Sequence, residues 1–142
     1  MHSAKTITGL FVLAAATAAT ASVDTSAKPG GVYRLKPGLY VQQGVACASA
    51  PNAAIRRYDG RGISTAHTRA CRARILSRRG SSFEVNQSCL GAGAGPAPRF
   101  DERQTVSIAD ALTFTLKARG KGTTYRYCPT YMLPAGLRGA AR

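Results

Sequence analysis

Residues 52–90, NAAIRRYDGRGISTAHTRACRARILSRRGSSFEVNQSCL, decide the fold of this chain. They read as a three-strand meander. Tyr58-Asp59-Gly60-Arg61 marks the first turn, because an Asp-Gly pair supplies the positive φ angles that a tight hairpin demands. Arg79-Gly80-Ser81 marks the second. With Gly80 as pivot, Ser77, Ile75 and Ala73 fall opposite Phe83, Val85 and Gln87, and Cys71 and Cys89 lie equally far from it. One face of this hairpin is therefore apolar and carries both cysteines. The alternation is clearest on the return strand, where Phe83, Val85, Gln87 and Cys89 share a face and Glu84, Asn86 and Ser88 take the other, the pattern of a half-buried strand.

Working outward, residues 32–35 and 38–41 are apolar on either side of Lys36-Pro37. They predict two short strands round a turn or one broken strand, and the proline argues for a sheet edge. Residues 47–52 form a loop into the first meander strand, whose largest apolar residues are Ile55 and Tyr58. After the meander, the Gly- and Pro-rich residues 91–98 have no side chains to bury and read as a long mobile spacer. Gln104, Val106 and Ile108 alternate, as do Leu112, Phe114 and Leu116 beyond Ala109-Asp110-Ala111, which makes a second hairpin. A turn through Gly120 and Gly122 leads to a closing strand at residues 123–128, stopped by Pro129. In the tail, Tyr131, Met132 and Leu133 are expected to pack back on the domain. The sum is all-β: about seven to eight short strands with turn signals every 8 to 12 residues or so and no amphipathic helix. A small antiparallel up-and-down β-barrel is favoured because it pairs sequence neighbours and hides its edges, with a β-sandwich as the alternative.

Residues 1–21 read as a secretory signal peptide, with Lys5, an apolar run at 7–19 and Ala19-Thr20-Ala21 before a cleavage at Ser22. The run is shorter than the about 20 apolar residues a membrane-spanning helix needs. The rest divides into a flexible lead-in at 22–31, a single β domain at 32–134 and a loose basic tail at 135–142. Among 142 residues, 20 are Lys or Arg and 6 are Asp or Glu, a formal net charge of +14. An exported chain so basic is drawn to lipopolysaccharide, anionic lipid, acidic wall polymers, extracellular nucleic acid or an acidic partner protein.

Four cysteines in an exported domain of this size predict two disulfides, Cys47, Cys71, Cys89 and Cys128 all being bridged. Three connectivities are possible. The Gly80 pivot suggests Cys71 with Cys89. However, Cys47 and Cys71 flank the Asp59-Gly60 turn almost evenly, and Cys89 and Cys128 flank the second hairpin. The expected pairing is Cys47–Cys71 with Cys89–Cys128, which ties the loop to the middle strand and the meander to the last strand. A zinc site is disfavoured by the lack of any CxxC pair.

Catalytic signatures are absent. His67 sits in a polar loop, and its neighbours Asp59 and Ser64 are close in sequence without a strand-turn-helix nucleophile motif. Asp101 and Glu102 are adjacent, so on a strand they point to opposite faces and cannot act as an acid–base pair. No phosphate-binding glycine loop occurs, and no metal or nucleotide cofactor is implied. What stands out is the arginines. Arg69, Arg72, Arg74, Arg78 and Arg79 crowd one strand and its turn, with Arg72 and Arg74 on the face opposite Cys71 and Ala73. Arg56 and Arg57, expected on the neighbouring strand about 5 Å away, would complete an anion-binding patch. The bland reading is a charged face that keeps the sheet soluble and protects its edge. Aromatic residues, 7% of the chain, do not make a stacking platform for single-stranded nucleic acid.

Taken together, PGLYV, Cys47, APNAAI, YDGRGIS, Cys71, the strand ending at Cys89 and Tyr125-Arg126-Tyr127-Cys128-Pro129 resemble small exported two-disulfide bacterial β proteins of unknown function. In size, export and barrel form the chain is also loosely similar to the periplasmic lysozyme inhibitors, although the inhibitory loop motif of that family falls on no residues here. The resemblance implies no activity. The residues themselves favour a non-catalytic binding or inhibitory module of the cell envelope that engages an anionic or protein partner through the arginine patch or the Gly-rich loop. A structural or stress-related envelope protein without a defined ligand is the alternative.

Overall fold

Among the described residues eight antiparallel strands follow one another: β1 (Gly38–Gln42), β2 (Ile55–Tyr58), β3 (Ile63–Ser64), β4 (Thr68–Arg79), β5 (Ser82–Gly91), β6 (Arg99–Asp110), β7 (Thr113–Lys117) and β8 (Gly122–Cys128). The computed structural model describes residues 23–24 and 27–141, so the expected signal peptide and its cleavage point lie outside the described residues. The strands form one sheet in the order β3-β2-β1-β8-β7-β6-β5-β4. Its two end strands, β3 and β4, approach each other without a ladder between them, giving a nearly closed barrel. The barrel expectation holds, and among the described residues helix is confined to short 3-10 turns and the single turn α1 (Ala135–Arg138) in the tail.

Alternation along the strands explains the layering. Tyr40, Tyr58, Val85, Val106, Phe114 and Tyr125 point inward and form the core, since successive strand residues face opposite sides of the sheet. The rings of Tyr40 and Phe114 meet edge to face at 5.1 Å and those of Phe114 and Tyr125 stack at 5.3 Å. A second apolar cluster lies outside the barrel wall, where Leu39, Val41, Ile55 and Cys128 are covered by Leu133 of the tail. Of the tail residues expected to pack back, only Leu133 is buried. Tyr131 and Met132 are about half exposed.

Residues before β1 plug one end. Tyr33 and Leu35 are buried in the core, and Tyr33 packs against Tyr58 and Phe83. The Tyr58 hydroxyl donates to the Gly30 carbonyl (2.8 Å) and accepts from the Tyr33 N–H (3.1 Å), while the Val32 N–H donates to Gly60 (2.9 Å). Gly30 and Gly31, read from sequence as the end of a flexible lead-in, are thus tied to the β2–β3 turn. Pro37 precedes β1 and interrupts nothing. Contrary to the expected edge position, β1 lies between β2 and β8.

Burial pushes the Tyr33, Tyr40 and Tyr58 hydroxyls above the ordinary tyrosine range. Neighbouring tyrosines push those of Tyr33 and Tyr40 the same way, and for Tyr58 the bond to Tyr33 works against it. The neutral form is therefore favoured in the fold, where the Tyr40 hydroxyl donates to the Lys36 carbonyl at 2.7 Å. Because the folded values are raised, this stabilisation is fully present below the unfolded tyrosine pKa of about 10 and is lost as pH rises above it. Alkaline titration should show a part of the tyrosinate absorbance, that of Tyr33, Tyr40 and Tyr58, appearing only together with loss of the β-sheet circular dichroism signal. Full ionisation at ordinary tyrosine pH with the fold intact would contradict this account.

Candidate functional site

The β4–β5 hairpin is built much as its sequence pattern requires. Ala73 pairs with Gln87 and Ile75 with Val85. Two bulges then alter the expected register: Ser77 meets Glu84 and Arg78 meets Phe83, with Leu76 as the extra residue. The other bulge lies between Arg69 and Arg72, where Ala70 has a φ of 48°. The Arg99 guanidinium holds it in place from β6, donating to the Ala70 and Ser88 carbonyls, each at 3.0 Å.

Cys71 therefore sits opposite Cys89, and these two form a disulfide. The other bridge joins Cys47 to Cys128. Both expected pairings are wrong for one reason. The strand β8 closes on β1, and the chain leaving β1 turns back over the outer face where Cys128 points, so Cys47 meets the last strand rather than the middle of the meander.

The expected meander is also split. An Asp-Gly turn forms as predicted: Asp59 Oδ1 accepts from the Arg61 and Gly62 N–H groups (2.9 and 3.1 Å) and Gly60 takes a φ of 87°. It leads only into the two-residue β3, and β2 does not pair with β4. Arg56 is consequently not beside Arg72 and Arg74. Its guanidinium donates to the Ala53 and Ile55 carbonyls (3.0 and 2.8 Å) and lies 4.8 Å from the Tyr125 ring.

The remaining candidates fall into three places. Arg57 and Arg69 line a cleft of about 210 Å³ across the seam between β2–β3 and β4, with Asp59 and Leu137. Arg78 turns to the barrel mouth, stacked 5.0 Å over Phe83 and donating to the Gly80 carbonyl (2.9 Å). Arg79 lies on the outer face at the hairpin tip with Ser82 and Glu84. Arg72 and Arg74 point outward from β4, exposed, as their alternation predicted.

A further residue joins these two. The register runs Arg74 to Asn86 to Arg103 across β4, β5 and β6, and Arg72 to Ser88 to Asp101 one step along. Adjacent strands are about 4.8 Å apart, so Arg74 and Arg103 stand about 10 Å apart with a neutral amide between them. Arg72, Arg74 and Arg103 have no ion pair or side-chain hydrogen bond among the described residues, whereas Arg61 pairs with Asp59 and Arg119 with Glu102. Alternation placed Gln104 and Val106 inward and so Arg103 outward. Only the strand order sets it beside Arg74.

Elsewhere, an outer groove of about 490 Å³ lies along β1 and β8, lined by Val41, Gln42, Leu112, Arg126 and Met132. Among the described residues no cluster of three or more His, Cys, Asp or Glu could hold a metal ion, and no helix is long and apolar enough to cross a membrane. The chain matches no protein-family model, no curated protein and no solved structure.

Proposed function

We propose that this chain is an exported, non-catalytic binding module that engages an anionic polymer of the cell envelope through the outer face of β4, β5 and β6. The observation that supports this reading is the group Arg72, Arg74 and Arg103, three exposed guanidiniums without ion-pair partners on β4 and β6, the two strands that flank β5. Guanidinium forks suit phosphate, sulfate and carboxylate groups in a way that a diffuse positive charge does not. Export is supported by the N-terminal apolar run and the small residues before Ser22, together with two disulfides of a kind that persist in oxidising compartments. The alternative, an envelope protein whose arginines only keep it soluble, draws support from the two β4 bulges, since bulges and charge are common protection for an edge strand.

The two readings differ in outcome. Arg72→Gln, Arg74→Gln and Arg103→Gln combined should elute from immobilised heparin or lipopolysaccharide at clearly lower salt than a control with Lys28, Arg61 and Lys121 changed to Gln. Neither variant should melt differently from the parent, because exposed substitutions change stability by about 0.5 kcal/mol or less. Arg99 is kept out of both sets, as it holds a bulge. Equal losses would leave net charge as the whole effect and remove the site.

A further inference from the structure

A second feature of β4 is independent of that outer face. In the sheet order β4 is terminal, and its only ladder partner is β5. Across the seam the Ala73 N–H donates to the Arg61 carbonyl at 2.8 Å. Strand alternation sends the N–H and C=O of Ile75, two residues further on, in the same direction. No described backbone group meets them there. The edge opens instead on a cleft of about 280 Å³ between β4 and residues 31–34, walled by Tyr33, Ile75, Phe83 and Ile108 and rimmed by Arg34 and Arg78. Ile75, 41% exposed, is its accessible apolar floor. No acidic residue lines this cleft, and Arg78 is already held in place by Phe83 and the Gly80 carbonyl.

Unpaired strand groups beside an apolar pocket are the features that receive an added strand: backbone bonds give affinity and alternate side chains give specificity. The cationic rim decides the occupant. We infer that this edge takes an extended acidic segment of another protein, which pairs with β4 near Ile75, seats one aliphatic side chain in the cleft and places carboxylates against Arg34 and Arg78. A second copy of this chain is a poor occupant. Antiparallel self-pairing centred on the free part of β4 sets Arg74 against Arg79 and Ile75 against Arg78, and like charges directly opposite are destabilising.

The test uses the full disulfide-bonded chain and a capped fluorescent heptapeptide of alternating glutamate and valine, read by anisotropy. Two further peptides carry N-methyl groups on alternate backbone nitrogens, one in each frame, which removes strand hydrogen bonds and leaves the charge unchanged. One frame should weaken binding about tenfold or more and the other little, since only one frame faces β4. Ile75→Glu should weaken the parent peptide comparably while melting like the parent protein. The Arg72, Arg74 and Arg103 triple variant should bind it normally. The proposal is overturned if the parent peptide does not bind, if both methylated frames bind as well as the parent, or if the outer-face triple abolishes binding. Amide shifts that appear on titration at Ile75 support it even should Ile75→Glu melt early; shifts confined to Arg72, Arg74 and Arg103 overturn it.

Discussion

Replacing Cys47 and Cys128 together by alanine should cost this protein more stability than replacing Cys71 and Cys89. The first bridge spans a sequence separation of 81 residues and the second 18. Chain-entropy arguments give about 4.5 kcal/mol for the longer closure and about 3 kcal/mol for the shorter. Domains of this size are stable by only about 5 to 15 kcal/mol, so the first variant should lose much of its folded margin. The local geometry points the same way. Cys71 and Cys89 lie on strands already paired by a long ladder, whereas Cys47 belongs to a loop that reaches β8 from outside the sheet. Alanine is chosen because serine would bury a hydroxyl at Cys71, Cys89 and Cys128, which are 4% exposed or less. Denaturant midpoints of the two double variants decide it. Equal losses, or a larger loss at Cys71 and Cys89, would mean that packing rather than loop closure sets the value of these bridges. Peptide mapping without reduction should recover Cys47 joined to Cys128.

The bridges also show what could be read from the sequence. A turn residue and a period of two were enough to pair Ile75 with Val85 and to place Cys71 against Cys89 as one of the options. They were not enough to find the bulge at Leu76, because one extra residue leaves the composition and most of the alternation intact. Closure of β8 on β1 joins residues far apart in the chain, as with Leu39 and Cys128. No local signal marks such a pairing, so the sequence does not disclose the Cys47–Cys128 disulfide that depends on it. The arginines divide along the same line. Alternation within β4 put Arg72 and Arg74 on the outer face, since their neighbours Cys71 and Ala73 are plainly inward. On β2 both Ile55 and Tyr58 are buried, one under the tail and one in the core, so the strand offers no plain outer face. Alternation therefore does not assign Arg56, which lies over the Tyr125 ring and not beside Arg72 and Arg74.

Gln87→Leu should open the barrel where its strands fail to meet. Between β3 and β4 no ladder forms. Instead the Gln87 side chain from β5 takes the place of a strand: its Nε2 donates to the Ile63 carbonyl at 2.7 Å and its Oε1 accepts from the Ile63 N–H at 2.8 Å. The approach is close, since a Cβ on Gly62 would lie 2.6 Å from the Cys71 carbonyl oxygen. Gln87 and Ile63 are both buried, at 4% and 1% exposure. Leucine keeps the volume and leaves two buried backbone groups unpaired, at a cost of about 1 to 3 kcal/mol each. Gln104→Leu is the matched control. Gln104 is also an inward glutamine, but its Oε1 has no partner and its Nε2 donates only to the partly exposed Glu102. Removing an unpaired buried acceptor offsets the lost bond, so that variant should change stability by about 1 kcal/mol or less. Amide exchange separates the causes: in Gln87→Leu the Ile63 N–H should lose its protection before the β5–β6 amides do, and in Gln104→Leu it should keep it. Equal destabilisation by the two substitutions, with Ile63 still protected in both, would mean that apolar packing alone closes the seam.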